Sequence, residues 1–219
     1  MSRALFPVFL DLTDRLVVVV GGGAVATERA AKLAAHGARV RVVSPAVTPS
    51  LATLIAEGTV SEHLPRVYAE GDLDGAVLVI AATDVAEVNA TVRLHALAAG
   101  AQVNVADDPE GSTAVIPALM RSGDLAIAIT TGGASPVVSR RIREDLEDRF
   151  GPGWAGLIDL LAESRDDLIA AHPDIATRRA AVEGLIDSGV VGRIADQGPD
   201  ACRAEVRGLL GLAPVSEAA

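Results

Sequence analysis

Three glycines directly follow a run of four valines, at residues 17–23. Gly21, Gly23 and Ala26 fit the spacing G-x-G-x-x-A, which binds the pyrophosphate of a dinucleotide. The first glycine permits a tight turn, the second lets the backbone approach the phosphates, and the alanine lets helix and strand pack closely. Free N–H groups in the first helical turn would face the phosphates. The alternative is a tight turn without a ligand. The predicted phosphate contacts are Gly21, Gly22, Gly23, Ala24 and Val25.

A second candidate contact lies where fingerprints of this type usually place an Asp or Glu for the adenosine ribose. That position is Ser44, followed by Pro45 and Ala46, and we predict all three as cofactor contacts. The missing carboxylate weakens discrimination against NADP, and Arg39 or Arg41 could meet a 2′-phosphate, although both are equally suited to a solvated strand. We predict NAD, with NADP as the open alternative.

Thr83 and Asp84 form a third candidate contact at the end of the apolar stretch 76–82. The carboxyl ends of parallel strands meet at one edge of a sheet, where ligands bind in open α/β folds. The two side chains could cap the following helix only, or also border the ribose and nicotinamide. We predict both as cofactor contacts.

Asp107 is the candidate catalytic residue. It follows the predicted strand 102–105, whose end should lie at the same sheet edge. A carboxylate beside a nicotinamide can accept the proton that accompanies hydride transfer. The sequence Asp107-Asp108-Pro109 is also ordinary turn chemistry, so a turn without catalytic role is the alternative.

A glycine-rich stretch at residues 130–136 joins a predicted strand to a predicted helix. Ser135 is a suitable N-cap residue and Pro136 a suitable first helical residue. Because Gly132 and Gly133 precede this capped helix, they could form a backbone nest for an anion.

Arg140, Arg141 and Arg143 lie in the first two turns of that helix. At about 100° per residue, only Arg140 and Arg143 share a face. Three arginines in an acidic chain indicate a site for carboxylate or phosphate groups. The alternative is a solvated helix on which nearby acidic residues balance them. Those residues are Glu144, Asp145, Glu147 and Asp148.

The composition excludes several classes of protein. Aromatic residues make up 2% of the 219 residues and the net charge is −10, which argues against nucleic-acid and anionic membrane partners. The single cysteine, Cys202, excludes an internal disulfide, and the four histidines show no ligand spacing, so we predict no protein metal site. Without a signal peptide or an 18-residue apolar span, we expect a cytoplasmic location.

Strands alternate with helices through the first half of the chain, which predicts a Rossmann-like parallel sheet. The predicted strands are 15–20, 39–43, a weak one within 60–68, 76–82 and 102–105, and the predicted helices are 24–36, 48–58 and 85–99. Four consecutive valines suit a strand that is buried on both faces.

The pattern changes after residue 107. The stretches 113–116 and 125–131 predict two antiparallel strands, so a second unit should begin near residue 112. A helix to about residue 150 follows, then helices over 155–212 with breaks at 172–173 and 198–199, and a frayed tail from 214. We predict three parts: a nucleotide-binding domain at 1–111, a small α+β unit at 112–150 and a helical region at 151–219.

Several segments together resemble the precorrin-2 dehydrogenase/sirohydrochlorin ferrochelatase family, which forms part of siroheme synthases. They occur in the family's order and spacing from residue 5 to about residue 150. The matching segments are LFPVFLDL at 5–12, VVVVGGGAVATERAAKL at 17–33, AATD at 81–84, VNVADDP at 103–109, VIP at 115–117 and ITTGGASPVVSRRIRE at 129–144.

The resemblance implies NAD-dependent oxidation of precorrin-2 to sirohydrochlorin, followed in many members by insertion of Fe²⁺, which is then a substrate. It implies a homodimer whose second unit, 112–150, forms the interface and closes the site. Asp107 falls on the catalytic carboxylate of the family's N-V-x-D motif. The substrate carries eight carboxylates, which would need a local positive site on an acidic protein. The predicted substrate contacts are Asn104, Thr131, Gly132, Gly133, Ser135 and Arg140.

Two further expectations remain. We expect no uroporphyrinogen methyltransferase domain, because the sequence stops near residue 219. The alternative to an enzyme is a regulatory module that senses NAD without catalysis, and only the enzyme requires a carboxylate at the crevice.

Overall fold

The structure, a computed structural model, describes residues 4–214. The chain divides into two compact units, with the boundary between Ile116 and Pro117. None of the helices within residues 4–214 is long and apolar enough to cross a membrane.

The first unit contains a parallel sheet of five strands within residues 4–116, in the order β3-β2-β1-β4-β5. The strands are β1 (Leu16–Val20), β2 (Arg39–Val43), β3 (Glu62–Leu64), β4 (Leu78–Ala81) and β5 (Gln102–Val105). The helices are α1 (Ala24–Ala35), α2 (Pro49–Ala56) and α3 (Ala86–Ala98). The predicted Rossmann-like fold is confirmed.

The valines of β1 are buried on both faces of the sheet. Val17 and Val19 belong to a core that includes α1 and α2, whereas Val18 and Val20 belong to a core that includes Val92 of α3. This double burial explains why β1 is apolar at every position from residue 17 to residue 20.

The strand order reverses at β1, because β2 pairs with one of its edges and β4 with the other. The connections after β1 and β4 therefore leave the sheet in opposite directions and open a crevice at its carboxyl edge. Open α/β folds bind their ligands in this crevice.

The prediction of a strand at residues 113–116 is wrong. The backbone N–H groups of Thr113 and Ala114 both donate to the carbonyl oxygen of Val103, at 2.8 and 3.0 Å. The Val103 N–H in turn donates to Thr113 Oγ1 at 2.9 Å. These bonds hold the segment against β5 in the first unit without a regular ladder.

The antiparallel pair lies further along the chain, between β6 (Ala118–Ser122) and β7 (Leu125–Ile129). The prediction of an antiparallel pair in this region is thus confirmed, but its first strand is 118–122 and not 113–116. Gly123, at φ +58°, makes the tight turn between the strands. The weak strand expected within 60–68 is confined to Glu62–Leu64.

The second unit continues with six helices within residues 117–214. They are α4 (Pro136–Arg149), α5 (Pro152–Glu163), α6 (Arg165–Ala171), α7 (Ile175–Asp187), α8 (Val190–Gln197) and α9 (Pro199–Leu209). The predicted N-cap is present, since Ser135 Oγ accepts from the Val138 N–H at 3.3 Å. The side chains of Leu157, Leu185 and Ile194 form part of a separate apolar core. Of the predicted tail, residues 215–219 lie outside the described residues.

Candidate active site

A cavity of about 930 Å³ opens at the carboxyl edge of the parallel sheet. Its walls come from the connections that follow β1, β2, β3 and β4. Every residue predicted as a cofactor contact lines this one cavity. These residues are Gly21, Gly22, Gly23, Ala24, Val25, Ser44, Pro45, Ala46, Thr83 and Asp84.

Each of the three glycines meets a different constraint. A Cβ on Gly21, which has φ +127°, would lie 2.2 Å from the Ala82 carbonyl oxygen. A Cβ on Gly22 would lie 1.9 Å from the Ala46 carbonyl oxygen. A Cβ on Gly23 would meet nothing within 4 Å. The first two glycines thus allow the backbone segments to meet, whereas the third leaves open space on the cavity wall.

The N-terminus of α1 also lines this cavity. Gly23 is its N-cap, no side chain caps the helix, and no acidic residue lies in the first turn. The N–H groups of Ala24 and Val25 therefore remain available to a phosphate. Thr27 Oγ1 donates to the Gly23 carbonyl oxygen at 2.8 Å and fixes the start of the helix.

Among residues 4–214, no cationic side chain lines the region expected to meet the adenosine ribose. Ser44 is buried and its hydroxyl donates to the Ala46 carbonyl oxygen at 2.7 Å. Arg41 pairs with Glu62 at 2.6 Å, and Arg39 donates to the Asp14 carbonyl oxygen at 3.2 Å. Neither arginine lines the cavity. The two candidate partners for a 2′-phosphate are thus directed to other groups.

Tyr68 is an aromatic residue of the cavity wall that the sequence analysis did not select. Burial raises its pKa to about 12, and the nearby charges of Asp72, Glu70 and Asp74 act in the same direction. Its hydroxyl lies 3.0 Å from His95 Nδ1. At neutral pH the phenol is therefore protonated and does not serve as a proton acceptor.

The loop behind Tyr68 depends on the buried carboxylate of Asp72. Arg66 binds both of its oxygens, at 2.6 and 2.8 Å, and the Ala69 N–H donates to Oδ2 at 2.8 Å. The bond from Arg66 is the main reason that the pKa of Asp72 lies below its ordinary value of 3.8. The ionised carboxylate therefore stabilises the fold above pH 3.8, and this contribution disappears as the pH falls through the lowered pKa.

Asp72→Asn is expected to lower the free energy of unfolding at pH 7 by about 1 kcal/mol, because Arg66 loses a charged partner in a half-exposed pair. The difference from the parent should shrink below pH 3.8. Urea unfolding at several pH values measures it. Asp74→Asn, which removes a charge from the same loop without breaking a described ion pair, is the control. Equal losses for Asp72→Asn at neutral and acid pH would contradict the linkage.

Thr83 bonds the N-cap residue of α3 without capping the helix, and it lines the cavity where a nucleotide contact is predicted. Its Oγ1 accepts from the Val85 N–H at 3.2 Å, immediately before α3, and the residue also lines the cavity. Asp84 is exposed and lines the cavity beside it.

Asp107 lies in the turn after β5 and its side chain is exposed. Oδ1 accepts a hydrogen bond from Asn89 Nδ2 at 3.2 Å, and within residues 4–214 no hydrogen bond reaches Oδ2. The adjacent Asp108 differs, because its Oδ1 accepts from the Gly111 N–H at 2.8 Å and closes the turn. Asp108 is therefore bonded to its own turn, whereas Asp107 is bonded to Asn89, which also bonds Thr83 of the cavity wall.

Asn89 connects Asp107 to the cavity wall, and the sequence analysis missed it. The residue lies on α3, is 1% exposed, and also bonds Thr83. Asn89, Val92 and Ala96 are the buried residues of that helix. The sequence did carry a signal, because Asn89 is spaced to share a helix face with these two apolar residues. A buried amide requires hydrogen-bond partners.

Asn104, predicted as a substrate contact, has a structural bond in the first unit. Its Nδ2 donates to the Ala114 carbonyl oxygen at 2.9 Å. The amide thus helps to hold the segment that follows Asp107 along β5, while its oxygen remains available.

The remaining predicted substrate contacts lie around the loop before α4 in the second unit. Gly132 and Gly133 have φ values of +64° and +87°, so both adopt the left-handed conformation that favours glycine. Thr131 Oγ1 accepts from the Ser135 N–H at 3.2 Å and closes the loop. A Cβ on either glycine would meet nothing within 4 Å. The loop is therefore open around its two glycines.

The three arginines in the first two turns of α4 differ in their partners. Arg141 pairs with Asp145 at 3.3 Å, and Arg143 pairs with Glu147 and, at 3.5 Å, with Glu144. Arg140 is exposed and forms no ion pair with any residue that the structure describes. It is therefore the arginine of this group with its charge available to an anionic ligand.

Within residues 4–214, no group of three or more His, Cys, Asp or Glu side chains is arranged to hold a metal ion.

Two family models match the chain. Residues 8–118 match the family described as "Putative NAD(P)-binding", and residues 122–149 match "Sirohaem biosynthesis protein central". The first match spans the cavity, and the second spans the loop at 130–136 together with α4.

Proteins with similar sequences include siroheme synthases. The siroheme synthase of Chromobacterium violaceum is 40% identical over 201 residues, which is 92% of this chain and 43% of that protein. The siroheme synthase of Pseudomonas entomophila is 40% identical over 212 residues, or 96% of this chain and 45% of that protein. The chain thus spans less than half the length of these relatives.

A solved structure resembles the chain over nearly its whole length. It is that of SirC, named a precorrin-2 dehydrogenase, with a TM-score of 0.67 and 27% identity. The match covers 94% of this chain and 98% of SirC. With the parallel sheet and the glycine turn inside the matched region, the protein belongs to the family described as "Putative NAD(P)-binding", and it is similar to siroheme synthases and to SirC over most of its length.

Proposed function

We propose that this protein oxidises precorrin-2 to sirohydrochlorin with NAD⁺ as the oxidant. The observation that carries the proposal is the exposed carboxylate of Asp107, tied through Asn89 to the wall of a dinucleotide-sized cavity. Support also comes from SirC, which shares the fold and is named a precorrin-2 dehydrogenase. The siroheme synthases that match most of the chain at 40% identity add to it.

The proposed nucleotide site consists of the glycine turn and the first turn of α1. The N–H groups of Ala24 and Val25 would bind the pyrophosphate, while Thr83 and Asp84 border the nicotinamide end. When bound, NAD⁺ supplies the acceptor for a hydride. Thr83 and Asp84 would help to orient the nicotinamide end of the nucleotide toward the substrate.

Asp107 is the proposed general base. Oxidation of precorrin-2 removes a hydride and a proton, which yields sirohydrochlorin, NADH and H⁺. Oδ2 of Asp107 would take the proton as the hydride leaves, and later release it to solvent. The carboxylate would thus prevent positive charge from building up on the tetrapyrrole in the transition state.

The loop at residues 130–136 and Arg140 are the proposed contacts for the substrate's carboxylates. A chain of net charge −10 repels a polyanion unless it offers a local positive site. Arg140 and the backbone of Gly132 and Gly133 supply such a site, since cation and nest both favour negative groups.

The proposed assembly is a homodimer that uses the second unit. Support comes from Val137, Val138 and Ile142 of α4, whose apolar side chains are exposed in the single chain. Burying such side chains against a second copy would be favourable.

NAD is expected to bind at least about tenfold more tightly than NADP, because an added 2′-phosphate would lose charged hydrogen bonds to water without gaining protein ones. The described residues that line the cavity include no Lys or Arg, but they include two acidic residues, Asp84 and Glu87. Titration of both nucleotides by fluorescence measures the ratio. Equal or tighter NADP binding would contradict the assignment.

Anaerobic incubation of precorrin-2 with the protein and NAD tests the proposed function. Sirohydrochlorin, followed by its absorbance, should appear together with an equal amount of NADH. Absence of product above the uncatalysed rate would overturn the proposal. Iron insertion stays a prediction from the resemblance, and incubation of sirohydrochlorin with Fe²⁺ and without NAD separates it from dehydrogenation.

A further inference from the structure

Asn89 is a buried amide with all of its hydrogen-bonding groups in use. Oδ1 accepts from the Thr83 N–H at 3.1 Å and from Thr83 Oγ1 at 2.8 Å. Nδ2 donates to the Thr83 carbonyl oxygen at 3.0 Å and to Asp107 Oδ1 at 3.2 Å. Two acceptor positions and two donor positions are therefore satisfied, which is the full capacity of an amide.

The partners also determine which way the amide points. A backbone N–H can only donate and a backbone carbonyl can only accept, so the two bonds to the Thr83 backbone admit a single orientation. A flipped amide would place its oxygen against the Thr83 carbonyl and against Asp107. The N–H that faces Asp107 is thus directed by the backbone of the loop after β4.

This arrangement joins two parts of the site. Thr83 lines the nucleotide cavity, whereas Asp107 lies on the turn after the neighbouring strand, β5. The Asn89 side chain bridges them from α3. A shift of the cavity wall at Thr83 would therefore move the donor that faces Asp107.

The bond from Asn89 can fix the side chain of Asp107, which is exposed. An exposed aspartate samples several rotamers unless a partner fixes it. Asn89 binds Oδ1 and leaves Oδ2 for a proton, whereas Asp108 is fixed by its own turn through Gly111.

We propose that Asn89 is a positioning residue for the dehydrogenation, which holds the carboxylate of Asp107 in a fixed relation to the nicotinamide end of the cavity. This inference rests on the proposed function. It requires that Asn89 act on the rate through Asp107, and not through nucleotide binding or the stability of α3.

Asn89→Ala and Asn89→Ser test the proposal, since alanine has no donor and the serine hydroxyl is too short to reach Asp107. Both variants should lower kcat for precorrin-2 oxidation by roughly 10- to 100-fold, as small misplacements of a reacting group do. The Kd for NAD should change by less than about threefold, because no bond to the nucleotide is removed.

Val92→Ala is the matched control. Val92 lies three residues further along α3, is fully buried and contacts neither Thr83 nor Asp107 through a hydrogen bond. It should lower Tm as the Asn89 variants do, while kcat stays within about threefold of the parent, because stability effects away from the site leave turnover of the folded fraction unchanged. Equal losses of kcat in Asn89→Ala and Val92→Ala at matched Tm would overturn the proposal.

A double-mutant cycle with Asp107→Asn completes the test. If Asn89 acts through Asp107, adding Asn89→Ala should change the residual rate of Asp107→Asn by less than about twofold. If Asn89→Ala lowered kcat by the same factor in the parent and in Asp107→Asn, the inference would be overturned and the proposed function would be unaffected. A parent protein that forms no sirohydrochlorin would instead overturn the proposed function, and the inference with it.

Discussion

Asp107→Asn is expected to lower kcat for precorrin-2 oxidation by roughly 10²- to 10⁴-fold, the usual contribution of a general base. The asparagine side chain has the same size and still offers an oxygen to Asn89, but it cannot take up the proton. The Kd for NAD should stay within about threefold of the parent, because the cavity wall keeps its contacts. Anaerobic turnover assays and a nucleotide titration of the same preparation measure both quantities.

Asp108→Asn is the matched control for this prediction, since it removes the same charge from the same turn. Its remaining oxygen can still accept from the Gly111 N–H, so the turn should keep its shape. We expect kcat of Asp108→Asn to stay within about threefold of the parent, because a charge further from the reaction contributes little. Parent-like turnover by Asp107→Asn would contradict the catalytic role and would favour the module that senses NAD without catalysis.

Gly23→Ala is expected to weaken NAD binding by roughly 5- to 150-fold, which corresponds to an overpacking cost of about 1–3 kcal/mol. The added methyl group meets no protein atom within 4 Å, so it would enter the space that the structure leaves for the pyrophosphate. The free protein should lose no more than about 1 kcal/mol of stability, which is the typical cost of placing alanine at an N-cap. Nucleotide titration and thermal unfolding measure the two effects.

Gly22→Ala should behave differently. Its methyl group would lie 1.9 Å from the Ala46 carbonyl oxygen, so backbone must move even without a nucleotide. We expect Gly22→Ala to lower the free energy of unfolding of the free protein by about 1–3 kcal/mol. If Gly23→Ala bound NAD as tightly as the parent, the pyrophosphate could not lie where the geometry of α1 indicates.

The parallel sheet was predictable because its signals are local. The valines of β1 are apolar at consecutive positions, and Gly21 and Gly23 mark the turn that must follow. The same reasoning located α4, since Ser135 and Pro136 are a strong start signal for a helix. The strand expected at residues 113–116 was wrong because its β-branched residues suit any half-buried extended segment, and only the bonds to Val103 decide where it lies.

That the predicted cofactor contacts lie around one cavity was predictable to the same degree, because parallel topology brings the ends of β1, β2 and β4 to one edge. Asn89 was not, since its role depends on Thr83 and Asp107, which lie 6 and 18 residues away along the chain. Arg41 was a reasonable partner for a phosphate until the structure paired it with Glu62 on the neighbouring strand. The spacing of residues along the sequence does not predict which side chains from different helices and strands will bond to one another.

A crystal structure of the protein with NAD⁺ bound would test the central claim most directly. It should show the pyrophosphate at the N–H groups of Ala24 and Val25 and the nicotinamide beside Thr83, with Asp107 Oδ1 still bonded to Asn89 and Oδ2 facing the open side of the ring. A nicotinamide at the Ser44 side of the cavity, or an Asp107 carboxylate turned away from the ring, would contradict it.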